Sequence, residues 1–486
     1  MSDCDCGEAA TVVLLGLSFL LACSHFVVYA ARVHPRRLWR LKRTRAACAT
    51  DCGFAAPLND ADAFGLPLNE CGSTDTKDSR MERLISVLGL FVMLGLAGLM
   101  SSHRRQIKPR IVVGGVLLQV VFAVLILKTA PGRWLFDRLG DFFQNVQKFS
   151  DVGAGFVFGQ DFREHFIAFS ILPTIIFFSA FMSVLYYLGI MQFVVRGMSF
   201  VMQRTLGISG AESLSTAANI FVGQTEAPLI IKPYIERLTM SELMTVMVGG
   251  FATIAGGVMA AYIGFGIDAG HLMTASVISA PAALVISKIL VPETETPETA
   301  GVAVREMPTV GVNVVEAATI GASDGLHLAL NVGAMLIAFM ALVAMLDATI
   351  VWLAGLRGIQ TSLGEIIGLV FSPFAWVMGV PTQDCRRVGE LLGLRMVANE
   401  FVAYEKMHEW MKPGSGVVLA ARSKMILTYA LCGFANFASI GIQIGGIGGM
   451  VPSRRADLAK LGVKAMLGGT LATFMTACIV GALVEE

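Results

Sequence analysis

An amide, a hydroxyl and a carboxylate stand side by side in an otherwise apolar part of this sequence. Gln224, Thr225 and Glu226 lie in the middle of residues 219–233, which read NIFVGQTEAPLIIKP. Ionisable groups are costly at membrane depth, and where they occur they mark functional sites. These three side chains can both donate and accept hydrogen bonds, so they form the first candidate binding site.

The same pattern returns later in the chain. Residues 399–413 read NEFVAYEKMHEWMKP, so both segments contain N-x-F-V, nine further residues and Lys-Pro, at an offset of 180. Downstream, GFATIAGG from Gly250 pairs with GFANFASI from Gly433, at an offset of 183. Two matches in the same order and at nearly one offset indicate a duplicated half.

The composition places both copies in a membrane. The chain has 486 residues, of which 55% are hydrophobic and 15% charged, and its mean hydropathy is +0.69. Soluble domains carry about 25% charged residues, so the sequence predicts a polytopic membrane protein. Apolar stretches long enough to cross about 30 Å of hydrocarbon lie near 10–31, 84–100, 111–128, 166–195, 243–265, 272–291, 326–353, 425–444 and 463–484. Shorter or interrupted apolar stretches lie near 211–231, 362–380 and 388–411.

The two N-x-F-V segments are too polar in the middle for regular membrane spans. Gly223 and Pro228 leave backbone groups outside a helix, which is tolerated at that depth only beside protein or a wet cavity. We therefore interpret both segments as re-entrant hairpins, and GFATIAGG and GFANFASI as membrane helices that unwind at their centres. An odd number of spans in each half predicts an inverted-topology repeat, with a binding site at the midplane. The predicted fold is an all-α polytopic membrane protein with this repeat, two re-entrant hairpins and two interrupted transmembrane helices.

This interpretation divides the chain into five parts. Residues 1–81 form an N-terminal extension with one apolar segment and a polar loop, and residues 82–165 form scaffold helices. The first repeat with its hairpin covers 166–291, a cytoplasmic linker and interfacial helix cover 292–325, and the second repeat covers 326–486.

Charge predicts the orientation of most of the chain but not of its beginning. The basic loops SSHRRQIKPR, VVRGMSFVMQR and PSRRADLAK are expected on the cytoplasmic side. The first hairpin then starts from inside and the second from outside. The same scheme puts the basic run RVHPRRLWRLKRTR outside, which conflicts with the rule. The orientation of residues 1–81 stays open, as does disulfide formation among Cys48, Cys52 and Cys71.

The polar residues of the two repeats suit an uncharged solute. Glu226 and Glu400 supply one carboxylate from each hairpin, and neutral amides and hydroxyls surround them. Such groups recognise hydroxyls and ring nitrogens, while Val258 and Phe434 offer an apolar wall for a ring. A single Asn or Ser in a membrane helix often only joins two helices, and this alternative applies most to Ser439. The neutral polar residues of the site are Gln224, Thr225, Asn399, Asn436 and Ser439.

A small cation could bind at the first break. Asn219 offers an amide oxygen and Thr253 a hydroxyl, and unwinding would free the carbonyls of Val222 and Ile254. Oxygen ligands from broken helices bind Na⁺ in transporters. The alternative is plain hydrogen bonding between hairpin and helix.

Other functions and other acidic residues receive weaker support. Ser209 in GISG and His327 in a later span could belong to an intramembrane serine protease, but that function leaves the duplicated hairpins unexplained. A passive channel is a further alternative, although two closed polar hairpins favour alternating access. Asp324 and Asp347 lie near predicted helix ends, where solvated or capping roles are expected.

Four motifs resemble concentrative nucleoside transporters: GQTEAPL, GFATIAGGVMAAYIGFG, ANEFVAYEKM and GFANFASIGIQIGG. The resemblance covers about residues 82–486. It implies a homotrimeric multi-pass protein of the plasma membrane, or of the inner membrane in a Gram-negative cell, that is no enzyme and needs no organic cofactor. It implies uptake of nucleosides of the uridine, cytidine and adenosine class by an elevator mechanism. Na⁺ is the implied coupling ion, H⁺ is the alternative, and nucleic acid is not an expected partner.

The resemblance also assigns roles to residues. The nucleobase would meet Gln224, Thr225 and Glu226, and the ribose would meet Glu400, Asn436 and Ser439, with Val258 and Phe434 packing nearby. Gly223 and Gly257 stand where base selectivity is set, and small residues at both imply tolerance of purines and pyrimidines. The implied Na⁺ ligands are Asn219, Val222, Thr253 and Ile254.

Overall fold

The computed structural model describes residues 72–159, 161–162, 166–301, 311–356, 358, 360–412 and 414–484. The chain divides into two compact units, residues 1–81 and residues 82–486. Of the first unit, only residues 72–81 are described, and they begin the first helix. The predicted apolar span at 10–31 and the three loop cysteines lie outside the described residues.

Three helices precede the duplicated part of the chain: α1 (Gly72–Leu99), α2 (Pro109–Leu127) and α3 (Ala130–Phe158). Helix α3 begins where the Thr129 side chain accepts a hydrogen bond from the Gly132 backbone N–H. Its apolar residues recur at the helical period between charged ones. It therefore contains no continuous apolar stretch, and it was not predicted from the sequence. Phe143 is buried while Phe156 is 91% exposed, so only one face of α3 packs against the protein.

The first half contains a hairpin and a broken helix, as predicted. The hairpin rises as helix α6 (Gly210–Ala218), turns through residues 219–226 without regular helix, and returns in two short helices. The broken helix is interrupted at residues 253–255. Its helices are α4 (Leu172–Tyr187, preceded by a π-helical turn, Phe166–Ile171), α5 (Ile190–Leu206), α6 (Gly210–Ala218), α7 (Ala227–Ile230), α8 (Lys232–Ile235), α9 (Met240–Ala252), α10 (Gly256–Gly264) and α11 (Ala269–Leu290).

The second half contains the same elements in the same order. Hairpin two turns through residues 398–399, and its broken helix is interrupted at residues 432–436. Its helices are α12 (Val314–Gly355), α13 (Leu363–Val377), α14 (Cys385–Val397), α15 (Glu400–Met411), α16 (Ala421–Leu431), α17 (Phe437–Met450) and α18 (Arg455–Leu483).

The stretch 425–444 consists of the two arms of a broken helix, as GFANFASI predicts. Two boundaries differ from the prediction. The stretch 166–195 is two helices, because Gly189 adopts a left-handed φ of 81° and ends α4. Helix α12 begins at Val314, so residues 314–325 continue into the span instead of forming a separate interfacial helix. No proline occurs between 314 and 355 to stop it.

Among the described residues, seven helices are long and apolar enough to cross a membrane. The segment Met240–Gly264, which contains the first break, is entirely buried, whereas none of the most apolar part of α12 is buried. Helix α4 packs closely along α12 because two glycines remove side chains from the contact. A Cβ at Gly321 would lie 2.5 Å from Ser183 Cβ, and one at Gly325 would lie 2.7 Å from Ser179 Cβ.

At its base, each hairpin is hydrogen-bonded to the third residue of the adjacent broken helix, Glu242 of α9 in the first half and Ser423 of α16 in the second. In the first half, Ser209 caps α6 and its hydroxyl donates to Glu242 Oε1 at 2.6 Å. In the second half, Ser423 Oγ donates to Asp384 Oδ2, also at 2.6 Å. The first base carries an additional buried ion pair, in which Lys288 Nζ lies 2.6 Å from Glu212 Oε2.

Candidate functional site

The tip of the first hairpin opens onto a cavity of about 390 Å³. Val222, Gly223 and Glu226 line it from the hairpin, and Gly257 lines it from the start of α10. Helices α4 and α12 form the opposite wall. The volume lies within the range of small-molecule sites, about 300–1,000 Å³. Both predicted selectivity positions, Gly223 and Gly257, therefore line the same cavity as the Glu226 carboxylate.

Gly223 leaves room for the Glu226 side chain. Glu226 is exposed to the cavity, and its Oε2 would lie 2.1 Å from a Cβ built on Gly223. Any side chain at this position would displace the carboxylate. Gly257 is less confined, because a Cβ there would meet its nearest atom, the Ile175 carbonyl oxygen, at 3.6 Å.

Gln224 and Thr225 point away from this cavity, toward the second repeat. Gln443 Nε2 on α17 donates to Gln224 Oε1 at 3.0 Å and to the Met247 carbonyl oxygen at 3.1 Å. Gly446 lies beside Thr225, since a Cβ at this glycine would be 2.4 Å from Thr225 Cγ2. The tip of hairpin one is thus joined to the broken helix of the other half.

Glu400 sits at the centre of a buried hydrogen-bond network in the second repeat. Its side chain is 5% exposed. Tyr262 Oη donates to Glu400 Oε1 at 3.0 Å, and Asn436 Nδ2 donates to Glu400 Oε2 at 2.9 Å. Asn436 Oδ1 in turn accepts from the Ser439 N–H at 2.9 Å and so caps α17. Each carboxylate oxygen keeps a lone pair with which it can accept a further hydrogen bond.

Two of the predicted cation ligands, Asn219 and Thr253, lie where hairpin one contacts the broken helix. Asn219 is fully buried, and its Oδ1 accepts no hydrogen bond from any residue that the structure describes. The Thr253 hydroxyl donates to the Gly249 carbonyl at 2.9 Å, so its oxygen retains lone pairs. The Phe221 carbonyl accepts from the Gly256 N–H, which closes the hairpin onto α10. A buried acceptor without a donor is costly, and a cation would remove that cost.

The predicted site residues therefore form three groups instead of one pocket. The first group lines the cavity and consists of Val222, Gly223, Glu226 and Gly257. The second group is the hydrogen-bond network at the start of α17, formed by Glu400, Asn436 and the Ser439 backbone. Val258 and Ile254 are buried near the first break and Phe434 is half-buried at the second. Helix α17 connects the groups, because it bonds to the tips of both hairpins.

Tyr262 and Gln443 were not predicted as site residues, and Asp324 was predicted in another role. The first two lie inside the quoted motifs, where a polar residue in an apolar run is a usable signal. Asp324 lines the cavity together with Glu226 and is no helix cap. Asp347 lies inside α12 instead of near its end, but it accepts from the Leu363 N–H at the start of α13, at 2.7 Å, beside the cap residue Ser362.

The residues proposed for a serine protease are not arranged as a catalytic pair. The Ser209 hydroxyl donates to Glu242, as described, and His327 Nδ1 bonds to the Ser323 carbonyl one turn earlier in its own helix. Ser209 thus has a capping role, which explains the serine without enzymatic chemistry.

Three family models match consecutive parts of the chain. Residues 88–161 match the N-terminus of Na⁺ dependent nucleoside transporters, residues 168–269 match a nucleoside recognition domain named Gate, and residues 271–481 match the C-terminus of the same transporters. Together they cover both repeats and the helices before them.

Full-length relatives agree with these matches. An uncharacterized transporter of Haemophilus influenzae is 46% identical over 82% of this chain and 98% of its own. Solute carrier family 28 member 3 of Eptatretus stoutii is 45% identical over 84% of this chain, which spans only 62% of that relative's length.

The fold agrees with solved structures of CNTnw. In its inward-facing substrate-bound state, CNTnw is 42% identical, with a TM-score of 0.78 over 82% of this chain and 97% of CNTnw. A double variant in an outward-facing state gives a TM-score of 0.79.

Proposed function

The chain belongs to the concentrative, Na⁺-dependent nucleoside transporter family, and on this basis we propose that it is a symporter that moves nucleosides into the cell with Na⁺. Its multi-pass membrane fold supports a place in the plasma membrane, or in the inner membrane of a Gram-negative cell. The proposed substrates are nucleosides of the uridine, cytidine and adenosine class.

The observation that carries this proposal is the Glu400 network. A buried carboxylate held by Tyr262 and Asn436 is a preorganised acceptor pair for two neighbouring hydroxyls, which a ribose supplies. Ser439 extends the same polar surface by one helical turn. A charged acceptor gives hydrogen bonds of about 1.5–3 kcal/mol each, so a solute without the hydroxyls would bind much more weakly.

The nucleobase would occupy the side formed by hairpin one. Gln224 and Thr225, which face the second repeat, would supply polar contacts there, and Glu226 would supply one from the cavity side of the tip. Val258 and Phe434 would supply apolar surface for the ring. Because Gly223 and Gly257 carry no side chains, we expect both purines and pyrimidines to be accepted.

Na⁺ would bind where Asn219 Oδ1 lacks a donor. The Thr253 hydroxyl and the carbonyls of Val222 and Ile254 would complete an oxygen ligand set. By joining hairpin to broken helix, the ion would order the tip that also contacts the substrate. Two ligands that favour the same state bind cooperatively, and this is the basis of coupled transport.

The transport step would be an elevator movement of both ligands past a fixed scaffold. Inward- and outward-facing structures of CNTnw support alternating access. The repeated order of elements supports two halves of inverted topology. The exposed apolar surface of α12 is available to lipid or to the neighbouring subunits of a homotrimer.

Uptake of tritiated uridine and adenosine into proteoliposomes tests the proposal. We expect accumulation with an inward Na⁺ gradient and none with choline in its place. Uptake that ignores Na⁺ but stops when a pH gradient is collapsed would assign the coupling to H⁺. That alternative is favoured by one observation, the presence of both Glu226 and Asp324 in the cavity wall.

A further inference from the structure

Each broken helix has a polar end inside the protein. Helices α9 and α16 stop at Ala252 and Leu431, and the last carbonyls of a helix have no partner within it. The aligned peptide dipoles also give a helix C-terminus a partial negative charge of about half an electron. In a membrane interior without bulk water, such an end needs a cation or hydrogen-bond donors.

In the second repeat, an arginine supplies both a positive charge and hydrogen-bond donors. Arg395 on α14 is 1% exposed. Its Nε donates to the Gly433 carbonyl at 3.2 Å, and its Nη1 donates to the Ala430 carbonyl and, at 2.9 Å, to Thr473 Oγ1. The guanidinium therefore lies across the end of α16, at the start of the break.

In the first repeat, the position that corresponds to Arg395 is a serine. The offset of 180 that relates Asn399 to Asn219 relates Arg395 to Ser215. Ser215 and Asn219 are four residues apart on α6 and share one face, whereas Arg395 lies on α14 and Asn399 follows the turn that ends it. Ser215 Oγ and Asn219 Oδ1 are fully buried, and neither has a hydrogen-bond partner among the described residues.

The contacts of Asn219 place this group at the end of α9. A Cβ at Gly249 would lie 3.3 Å from Asn219 Nδ2, so the asparagine packs on the last turn before the first break. The two repeats therefore differ in the group at the helix end. The second has a covalently attached cation, whereas at the end of α9 the neutral donors Thr253 Oγ1 and Gln443 Nε2 reach the carbonyls of Gly249 and Met247. The adjacent Asn219 side chain keeps an oxygen that accepts no hydrogen bond among the described residues.

We propose that Arg395 is a built-in cation that stabilises the broken helix of the second repeat in the same way as the coupling Na⁺ stabilises that of the first. Arg395 is thus a positioning residue: it holds the α16 end, and through it Asn436 and Glu400, without contacting substrate. It also excludes a mobile cation from the second break. The Na⁺ part of this inference rests on the proposed function, whereas the part concerning Arg395 does not.

The test compares purified wild type with Arg395→Ser, which copies the first repeat, and with Arg395→Lys, which keeps the charge. Thermal unfolding is followed in detergent at constant ionic strength, with choline, Na⁺ or methylguanidinium as the cation. Equilibrium binding of ²²Na⁺ is measured on the same samples. Arg422→Ser, made together with Glu82→Gln, is the matched control, because Arg422 is also buried and donates to backbone carbonyls, those of Gly379 and Gly481, away from both breaks. The second substitution is needed because Arg422 Nε also lies 3.3 Å from Glu82 Oε2.

We expect Arg395→Ser to unfold at a lower temperature in choline and to regain stability when Na⁺ or methylguanidinium is added. It should bind about twice as much ²²Na⁺ as wild type, because a vacated cation site binds ligand by mass action. Arg395→Lys should resemble wild type in both measurements. The control variant should lose stability without any gain in bound ²²Na⁺.

Two results would overturn the inference. One is wild-type stability of Arg395→Ser in choline. The other is a loss of stability that neither cation reverses, with unchanged ²²Na⁺ binding. If Arg395→Ser does not fold, Arg395→Lys and Arg395→Gln decide: the inference requires the lysine variant to be stable and the glutamine variant not, and equal behaviour contradicts it. A wild type that binds no ²²Na⁺ contradicts the proposed function, while methylguanidinium rescue still tests Arg395 alone.

Discussion

The two hairpins carry the same N-x-F-V motif and use its asparagine in different ways. Asn219 ends helix α6, and its side-chain oxygen accepts no hydrogen bond among the described residues. Asn399 begins helix α15, and its side-chain oxygen accepts from the Val402 N–H at 2.9 Å. The first asparagine is therefore available to a ligand, and the second has a structural role as a helix cap.

The broken helices differ in the same direction. Helix α10 starts at Ala255 without a side-chain cap, and its first N–H reaches across to the hairpin carbonyl of Phe221. Helix α17 starts with the Asn436 cap, whose amide also donates to Glu400. The Asn219 oxygen of the first half thus accepts no hydrogen bond among the described residues, whereas the Asn399 and Asn436 oxygens of the second half each cap a helix. This division fits an ion site in the first repeat and a rigid sugar site in the second.

The largest effect is expected from the two hairpin carboxylates. Glu400→Gln places an NH₂ group against one of two donors, Tyr262 or Asn436, and removes the charge that strengthens both bonds. We expect uridine uptake to fall by about 100-fold or more, since two charge-assisted hydrogen bonds are weakened. Glu226→Gln should cost less, because that carboxylate faces the cavity and can reorient.

The measurement is initial uptake in proteoliposomes, normalised to the amount of reconstituted protein. Nucleosides lacking the 2′- or 3′-hydroxyl serve as controls, because wild type should discriminate against them and Glu400→Gln should not. Equal loss in both carboxylate variants would contradict the division between a flexible first site and a rigid second one.

Part of this difference between the two repeats was predictable from the sequence. The hairpins and both breaks were predicted, because glycine and polar residues in apolar runs are visible as letters. Whether each asparagine oxygen accepts a hydrogen bond was not predicted. Asn219 and Asn399 occupy the same position of the same motif, and they differ only in the backbone conformation that follows them. Arg395 lies one turn before Asn399, yet its partners are backbone carbonyls from 35 to 38 residues away. Amphipathic α3 was missed since it contains no continuous apolar run.

The asparagine pair offers the next largest effect. Asn219→Ala removes a proposed ion ligand, and we expect the Na⁺ concentration for half-maximal uptake to rise roughly tenfold, the equivalent of one oxygen ligand. Asn399→Ala removes a helix cap and should lower stability by about 1 kcal/mol without changing the Na⁺ requirement. Na⁺ titration of uptake and thermal unfolding of the purified variants separate the two effects. A shift in Na⁺ dependence for both variants would show that the repeats share the ion site.

The hairpin bases should show the smallest effect. Ser209→Ala and Ser423→Ala each remove one hydroxyl donor to a carboxylate, Glu242 in the first repeat and Asp384 in the second. Asp384 keeps a second donor, the Ala420 N–H at 2.9 Å, and Glu242 keeps the Thr239 N–H at 2.9 Å. Ser209 is also the cap of α6, so its loss removes a second interaction. We therefore expect Ser209→Ala to destabilise the protein by about 2 kcal/mol and Ser423→Ala by about 1 kcal/mol. Thermal unfolding in choline measures both changes without the contribution of Na⁺. Equal values would mean that the cap adds nothing to the Glu242 bond, and that the two bases, unlike the two tips, are equivalent.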